Sequence, residues 1–78
     1  MAAAKRRNWN AEIKGMLKAE LKRQSLSYAD LAERLAAIGI KDNELNLKNK
    51  INRGTFTAIF FVQCMEAIGC HTLHLGSE

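Results

Sequence analysis

Apolar side chains recur along this chain at helical spacing, and they are densest between Thr55 and Gly69. On a helix of about 3.6 residues per turn, only Gln63 and Glu66 form a polar strip in this stretch. The other sides carry Phe56, Phe60, Phe61, Val62, Cys64, Met65 and Ile68. A helix that is apolar nearly all round is enclosed, either by other elements or by a second copy of the chain. We therefore expect a central helix that starts at a Thr55 cap and ends at Gly69.

Three helices are predicted before it. The first follows an Asn8 cap and runs to about Arg23, with an apolar face made of Trp9, Ile13, Met16, Leu17 and Leu21. Glu20 falls inside this face, so we expect an arginine partner for its carboxylate. The second helix starts with a capping box formed by Ser27 and Asp30. It ends at Gly39 and turns inward Leu31, Ala32, Leu35 and Ile38.

A polar turn over residues 40–44 leads to a short amphipathic helix that ends at Gly54 and turns Leu47 and Ile51 inward. Either this helix begins at an Asn46 cap, or Leu45 has a packing partner. The chain closes on the alternating residues Thr72, Leu73, His74 and Leu75, a pattern that predicts a short strand. We expect one domain over residues 8–78, preceded by a basic disordered arm over residues 1–7.

The length of 78 residues suits one small domain, and the absence of proline favours uninterrupted helices. The longest apolar run, Ala58 to Val62, is too short to span a bilayer. No apolar segment follows the basic N-terminus, so we expect no signal peptide. Two cysteines without an export signal indicate reduced thiols. These features predict a cytoplasmic protein without a membrane partner.

Positive charge lies in two blocks. Residues 1–24 carry seven Lys or Arg against two Glu, and residues 45–54 carry three against none. Residues 25–44, between them, are net acidic. Such clustering is typical of proteins that bind a polyanion, most often nucleic acid. The alternative is a soluble basic protein whose lysine rows and terminal arm are only solvated.

A metal site or an enzyme is not expected. Cys64, Cys70, His71 and His74 are the only potential zinc ligands, but they contain no Cys-x-x-Cys pair. Cys64 also lies on the apolar side of the fourth helix, where cysteine behaves as a small hydrophobic residue. No nucleophile or paired carboxylates stand near the histidines. We predict no cofactor, no metal and no small-molecule substrate.

The segments YADLAERL and NKINRG, followed by an apolar helix ending in AIG, resemble the lambda-repressor/Cro-like DNA-binding domains. The matching residues are Leu31-Ala32, Ile51-Asn52-Arg53-Gly54 and Ile68-Gly69. More closely, the chain from Trp9 to Leu75 resembles a family of short bacterial proteins known only as an uncharacterised domain. The repressor resemblance implies an all-α domain of four helices, with a helix-turn-helix and, here, a short C-terminal strand. The turn is longer in this chain than in those domains.

This resemblance implies that the third helix reads the major groove of double-stranded DNA. Asparagine pairs with the adenine edge and arginine with guanine. The candidates for base reading are Asn46, Asn49 and Arg53, with Asn52 at the rim. The candidates for phosphate contact are Lys48, Lys50, Lys14, Lys18, Lys5, Arg6 and Arg7. The alternative for the asparagines is a role in caps and turns.

We expect a homodimeric transcriptional regulator, since two-fold pairing doubles the base contacts over matched half-sites. The residues expected at the dimer contact are Phe61, Met65, Thr72, Leu73, His74 and Leu75. The strand either pairs with its copy in a second chain or with residues 40–45 of its own chain. The competing interpretation is a protein-interaction module whose basic faces dock an acidic partner. The long turn favours that module, and the stretch from Leu45 to Gly54, which lacks acidic residues, favours DNA.

Overall fold

The computed structural model describes residues 8–73, which contain four helices. They are α1 (Trp9–Arg23), α2 (Tyr28–Ala37), α3 (Glu44–Arg53) and α4 (Ala58–Ala67). The described part of the chain is all-α, as the sequence predicts. None of its helices is both long enough and apolar enough to cross a membrane.

Each helix begins with a side-chain oxygen that accepts a hydrogen bond from the backbone N–H three residues later. The capping residues are Asn8, Ser27, Asn43 and Thr57. The caps at Asn8 and Ser27 are confirmed, and Asp30 completes the capping box by accepting from the Ser27 N–H at 2.8 Å. The Thr55 cap predicted for the fourth helix is wrong, and so is the Asn46 cap, one of two alternatives for the third, because Thr57 and Asn43 are the capping residues. The N–H of Asn46, for example, donates to the Asn43 side chain at 2.9 Å and so lies inside the first turn.

The core lies where α3 packs against α1 and α2 and where α4 packs against α2. Its buried side chains are Leu17, Leu21, Leu31, Leu35, Leu47, Ile51, Phe60, Phe61, Cys64 and Ile68. All four helices contribute, at the spacings that the apolar pattern predicts. Glu20 has its expected arginine partner, because Arg23 donates from Nε to the Glu20 carboxylate at 3.1 Å.

Three apolar side chains expected on the buried faces of helices lie at the surface instead, and one of them is Trp9, which is 65% exposed. Ile38 is 42% exposed because it caps the end of α2, and Val62 is 62% exposed. The start of α3 follows neither alternative, because the helix begins before Asn46 and Leu45, with 65% of its surface exposed, is not packed into the core of residues 8–73. Ile59, near Val62 on α4, is exposed as well. Residues 8–73 therefore cover the fourth helix on one side only, since a chain of this size has little surface with which to enclose it.

The predicted C-terminal strand is wrong in its described part, because Thr72 and Leu73 form no strand. The end of α4 explains this. Gly69 has a left-handed backbone, and the N–H of Cys70 donates to the Met65 carbonyl at 2.9 Å, which turns the chain back at the helix end. No residue within 8–73 is in a strand, and this includes residues 40–45, the expected partner segment of the same chain. The rest of the predicted strand and the whole basic arm lie outside the described residues.

Candidate nucleic-acid interface

The outer face of α3 is polar and basic. Leu47 and Ile51 are fully buried, and they set which side of the helix is turned outward. The exposed residues of the opposite side are Leu45, Asn46, Lys48, Asn49, Asn52 and Arg53. We call this set the α3 outer face. No acidic residue lies between Leu45 and Arg53, and Glu44 stands at the helix start. The face therefore presents amides and cations, the groups that hydrogen-bond to nucleic acid.

Two lysines of α1 are fixed at the C-terminal end of this face. The ammonium of Lys14 donates to the backbone carbonyl of Asn52 at 3.1 Å, and that of Lys18 donates to its side-chain oxygen at 2.8 Å. Positive charge is favourable there because the last carbonyls of a helix carry partial negative charge. The contacts join α1 and α3 into one basic surface. The Asn52 amide oxygen, predicted to lie at the rim of the reading surface, is committed to Lys18.

Lys50, predicted as a phosphate contact, lies on a different side of α3. Its ammonium donates to Asp42 at 2.9 Å and lies 4.9 Å from the centre of the Phe60 ring. Burial alone would raise the pKa of Asp42. Hydrogen bonds from Lys50 and from the Asn43 backbone outweigh this effect and lower the pKa. Lys50 thus ties the connection between α2 and α3 to α4.

Sequence reasoning missed this role because Lys48 and Lys50 are equivalent in the pattern. Each is adjacent to one of the buried residues Leu47 and Ile51 and three residues from the other, so each borders the buried side of α3. Asp42 also receives a weaker contribution from the Asn46 side chain, which places Asn46 next to the connection. Among the candidates on α3, Asn49 and Arg53 therefore lie nearest the centre of the exposed face, and Lys48 lies at its edge.

The end of α3 is held against the start of α1. Gly54 has a left-handed backbone, and a Cβ atom there would lie 2.7 Å from the carbonyl oxygen of Asn10. No side chain fits into that space without a shift of one backbone. Together with the two lysine contacts to Asn52, this close approach fixes the angle between α1 and α3.

Four of the residues predicted at a dimer contact meet in one place. Phe61, Met65, Thr72 and Leu73 line a shallow groove with a volume of about 280 Å³. Phe61 is buried within its own chain, where its ring stacks on Phe56 at a centroid distance of 6.2 Å. The exposed apolar residues of α4 are instead Ile59 and Val62, which are not among the residues predicted at the dimer contact. Their spacing of three residues was a signal for one shared face. His74 and Leu75 lie outside the described residues.

The two cysteines are free thiols in different surroundings. Cys64 is fully buried, and this burial raises its pKa to about 12. It therefore stays protonated at neutral pH. Cys70 is half-buried, and its sulfur lies 3.4 Å from the Thr72 carbonyl oxygen. Within residues 8–73 no three metal-ligating side chains come together.

A family model described as Domain of unknown function (DUF6471) matches residues 9–73 of the chain. The match spans α1 to α4 and agrees with the expected resemblance to an uncharacterised domain. No curated protein and no solved structure matches the chain. The resemblance to lambda-repressor/Cro-like domains stays a prediction.

Proposed function

The chain belongs to the family described as Domain of unknown function (DUF6471), and we propose that it is a small cytoplasmic DNA-binding protein that regulates transcription. In this proposal α2 and α3 form a helix-turn-helix whose α3 outer face enters the major groove. One observation carries the proposal. The α3 outer face lacks acidic groups, and two lysines of a neighbouring helix are fixed at its end.

In this proposal the exposed amides and the arginine of α3 read the bases. Asn49 lies opposite the buried Leu47 and Ile51, where it reaches furthest from the core. Its amide matches the donor and acceptor of an adenine edge, and the Arg53 guanidinium matches guanine. Asn46 lies in the first turn, the part of a recognition helix that commonly contacts bases.

In this proposal Lys48 on α3 and Lys14 and Lys18 on α1 contact phosphates. Asn52 serves in this proposal to orient the two α1 lysines rather than to read a base, because its oxygens accept from both of them. Such contacts set the position of the protein on the duplex without selecting a sequence.

A salt titration with random duplex DNA tests the proposal. Affinity is expected to fall steeply with salt concentration, because bound lysines and arginines release condensed counterions. The double variant Lys14→Gln/Lys18→Gln is expected to reduce the slope of log K against log salt by about 2. Lys22→Gln, one turn further along α1 and away from Asn52, is the matched control and should leave the slope close to that of the unmodified protein. Absence of DNA binding at low salt would refute the proposal.

We further propose that the protein acts as a homodimer through the exposed side of α4. Ile59 and Val62 form an apolar face beside the groove that Leu73 lines. At its edge, His71 Nε2 lies 3.5 Å from a carboxylate oxygen of Glu66. A two-fold axis would place this face against its own copy and remove its exposed apolar side chains from water.

A protein-interaction module is the second candidate. The observation that favours it is the length of the connection between α2 and α3, which spans residues 38–43. A connection of this length can hold α3 at an angle that does not fit a major groove. In that case the α3 outer face and the α1 lysines dock an acidic protein. The two functions separate in the salt titration, since only the first predicts binding to random duplex DNA.

A further inference from the structure

Leu45 is an apolar side chain on a surface that is otherwise polar. It follows the first residue of α3 and is 65% exposed. Because it precedes the buried Leu47 by two residues, it points away from the core. Its neighbours one turn along the helix are Lys48 and Asn49, both exposed. Leu45 therefore lies next to two of the side chains that we propose as DNA contacts.

Single exposed leucines are common on protein surfaces, so exposure alone assigns no role. The position of Leu45 is what distinguishes it from the other exposed apolar residues of the described chain. Ile59 and Val62 share a face of α4, and Leu73 follows that helix. Trp9 lines a groove together with Phe56 and other apolar groups. Leu45 alone stands among amides and cations on the α3 outer face.

An apolar side chain on a helix that enters the major groove has one apolar counterpart on the base edges. Thymine presents its C5-methyl group there, whereas the other base edges present only hydrogen-bond donors and acceptors. Leu45 lies in the first turn of α3, which is the part of a recognition helix that commonly contacts bases. Packing of the Leu45 side chain on this methyl group would remove apolar surface from water. It would leave no polar atom without a hydrogen-bond partner.

We propose that Leu45 reads a thymine by packing on its C5-methyl group, next to the base that Asn49 reads. This inference rests on the proposed DNA-binding function. The two residues are four positions apart, which is about 6 Å along the helix axis. Base pairs of a duplex are separated by about 3.4 Å, so Leu45 and Asn49 reach different base pairs. The preferred half-site therefore contains a thymine close to the adenine of the Asn49 contact.

Replacement of thymine by uracil tests the inference, because uracil keeps the hydrogen-bonding groups of thymine and lacks the methyl group. A preferred site is first selected from a random duplex library with the full chain. Each thymine of that site is then replaced singly, and affinity is measured for the unmodified protein and for Leu45→Ala. Ile38→Ala is the matched control, since Ile38 is an exposed aliphatic residue outside the α3 outer face.

We expect one replacement to weaken binding by the unmodified protein roughly three- to tenfold, the loss for one methyl contact. Leu45→Ala should bind both duplexes equally, Ile38→Ala should keep the difference, and all three proteins should unfold at similar temperatures. If no thymine is sensitive, or if Leu45→Ala still separates thymine from uracil, the inference is wrong while sequence-specific binding stands. If no preferred site emerges but DNA is bound, base reading by α3 fails. If no DNA is bound, both the inference and the proposed function are wrong.

Discussion

Lys48 and Lys50 lie two residues apart on α3 and have different surroundings. Lys48 is exposed on the outer face, whereas the ammonium of Lys50 is held by Asp42 and by the ring of Phe60. The Asp42 side chain is only 9% exposed, so removal of Lys50 would leave a nearly buried carboxylate without its cation. A loss of DNA affinity in a Lys50 variant would therefore mix folding with binding. Lys48 is the residue that isolates the phosphate contact.

The proposed division between base reading and phosphate contact is tested by two variants on the same helix. Asn49→Ala is expected to cost about 1–3 kcal/mol of discrimination at one base pair. Lys48→Ala is expected to weaken all duplex sequences alike, because phosphates are the same at every step. Both residues are exposed, so unfolding midpoints should stay close to that of the unmodified protein. Competition binding against singly substituted sites measures the difference, and an unchanged sequence preference in Asn49→Ala would remove α3 as the reader.

Glu20 makes stability depend on acid pH. Arg23 and then Gln24 hydrogen-bond to its carboxylate and lower its pKa from 4.5 to about 2. A lowered pKa in the folded state means that the contribution is complete above the unfolded value and is lost as pH falls towards 2. We expect Glu20→Gln to be less stable than the unmodified protein at pH 7 and to show a smaller loss between pH 4.5 and pH 2. Urea unfolding across this range measures both effects.

Arg23→Gln provides the second test of this interaction, because it removes the hydrogen bonds that Arg23 donates to Glu20 and leaves the one from Gln24. It should reproduce the reduced stability at neutral pH and the flatter acid dependence. If either variant keeps the full acid dependence of the unmodified protein, another group is responsible for it.

Partners near in sequence were predictable where the chain offered a single choice, and distant partners were not. Glu20 and Arg23 are three residues apart on one helix, as are Ser27 and Asp30, so helical spacing was enough. Lys18 reaches Asn52 across 34 residues, and that contact depends on how α1 packs against α3. No periodicity within one helix carries that information.

At the scale of the helices, a capping side chain sets the start of each element. The starts of α3 and α4 could not be read from the sequence because each has two capping residues in competition. For α4 these are Thr55 and Thr57, and the structure uses Thr57. Phe56, which lies between them, packs its ring 5.3 Å from that of Phe60. A side chain that packs on the core before the helix begins decides the boundary, and this is a property of the tertiary structure.

Gly54 is the helix end with the strictest requirement. Gly54→Ala would place a methyl group 2.7 Å from the Asn10 carbonyl oxygen and keep a left-handed backbone. Gly39→Ala is the matched control, because Gly39 also has a positive φ but a Cβ atom there meets nothing within 4 Å. We expect Gly39→Ala to cost about 1–2 kcal/mol from backbone conformation. Gly54→Ala should cost roughly 2–5 kcal/mol, because overpacking between α1 and α3 is added.

Chemical unfolding of the two variants compares these costs directly. Equal losses would mean that α1 moves away from α3 at little cost. The angle between the two helices would then be less fixed than the contacts of Asn10 and Asn52 indicate, and the lysines of α1 would not hold a constant position beside α3.

At the scale of the whole molecule, the chain has two unlike surfaces. One is the basic surface of α1 and α3, and the other is the apolar side of α4 with Ile59 and Val62. The all-apolar pattern of the fourth helix correctly indicated buried surface on α4, but it left open whether the same chain or a second one covers it. The part of the chain that the structure describes covers one side. The exposed side is the region where the proposed homodimer forms.

The proposed homodimer depends on the exposed side chains of Ile59 and Val62. Ile59→Lys/Val62→Glu should give a folded monomer, because both side chains are exposed in the single chain and their replacement leaves its core intact. We expect the dimer dissociation constant to rise at least about tenfold, the effect of about 1.4 kcal/mol, and affinity for a two-fold symmetric site to fall with it. Ile38→Lys, which adds a charge at an exposed apolar position at the end of α2, is the control and should leave association unchanged. Sedimentation velocity across micromolar concentrations measures the state of each protein. If the unmodified protein is a monomer at high micromolar concentration, the α4 face is not a dimer contact, and DNA recognition must be explained by one copy of α3.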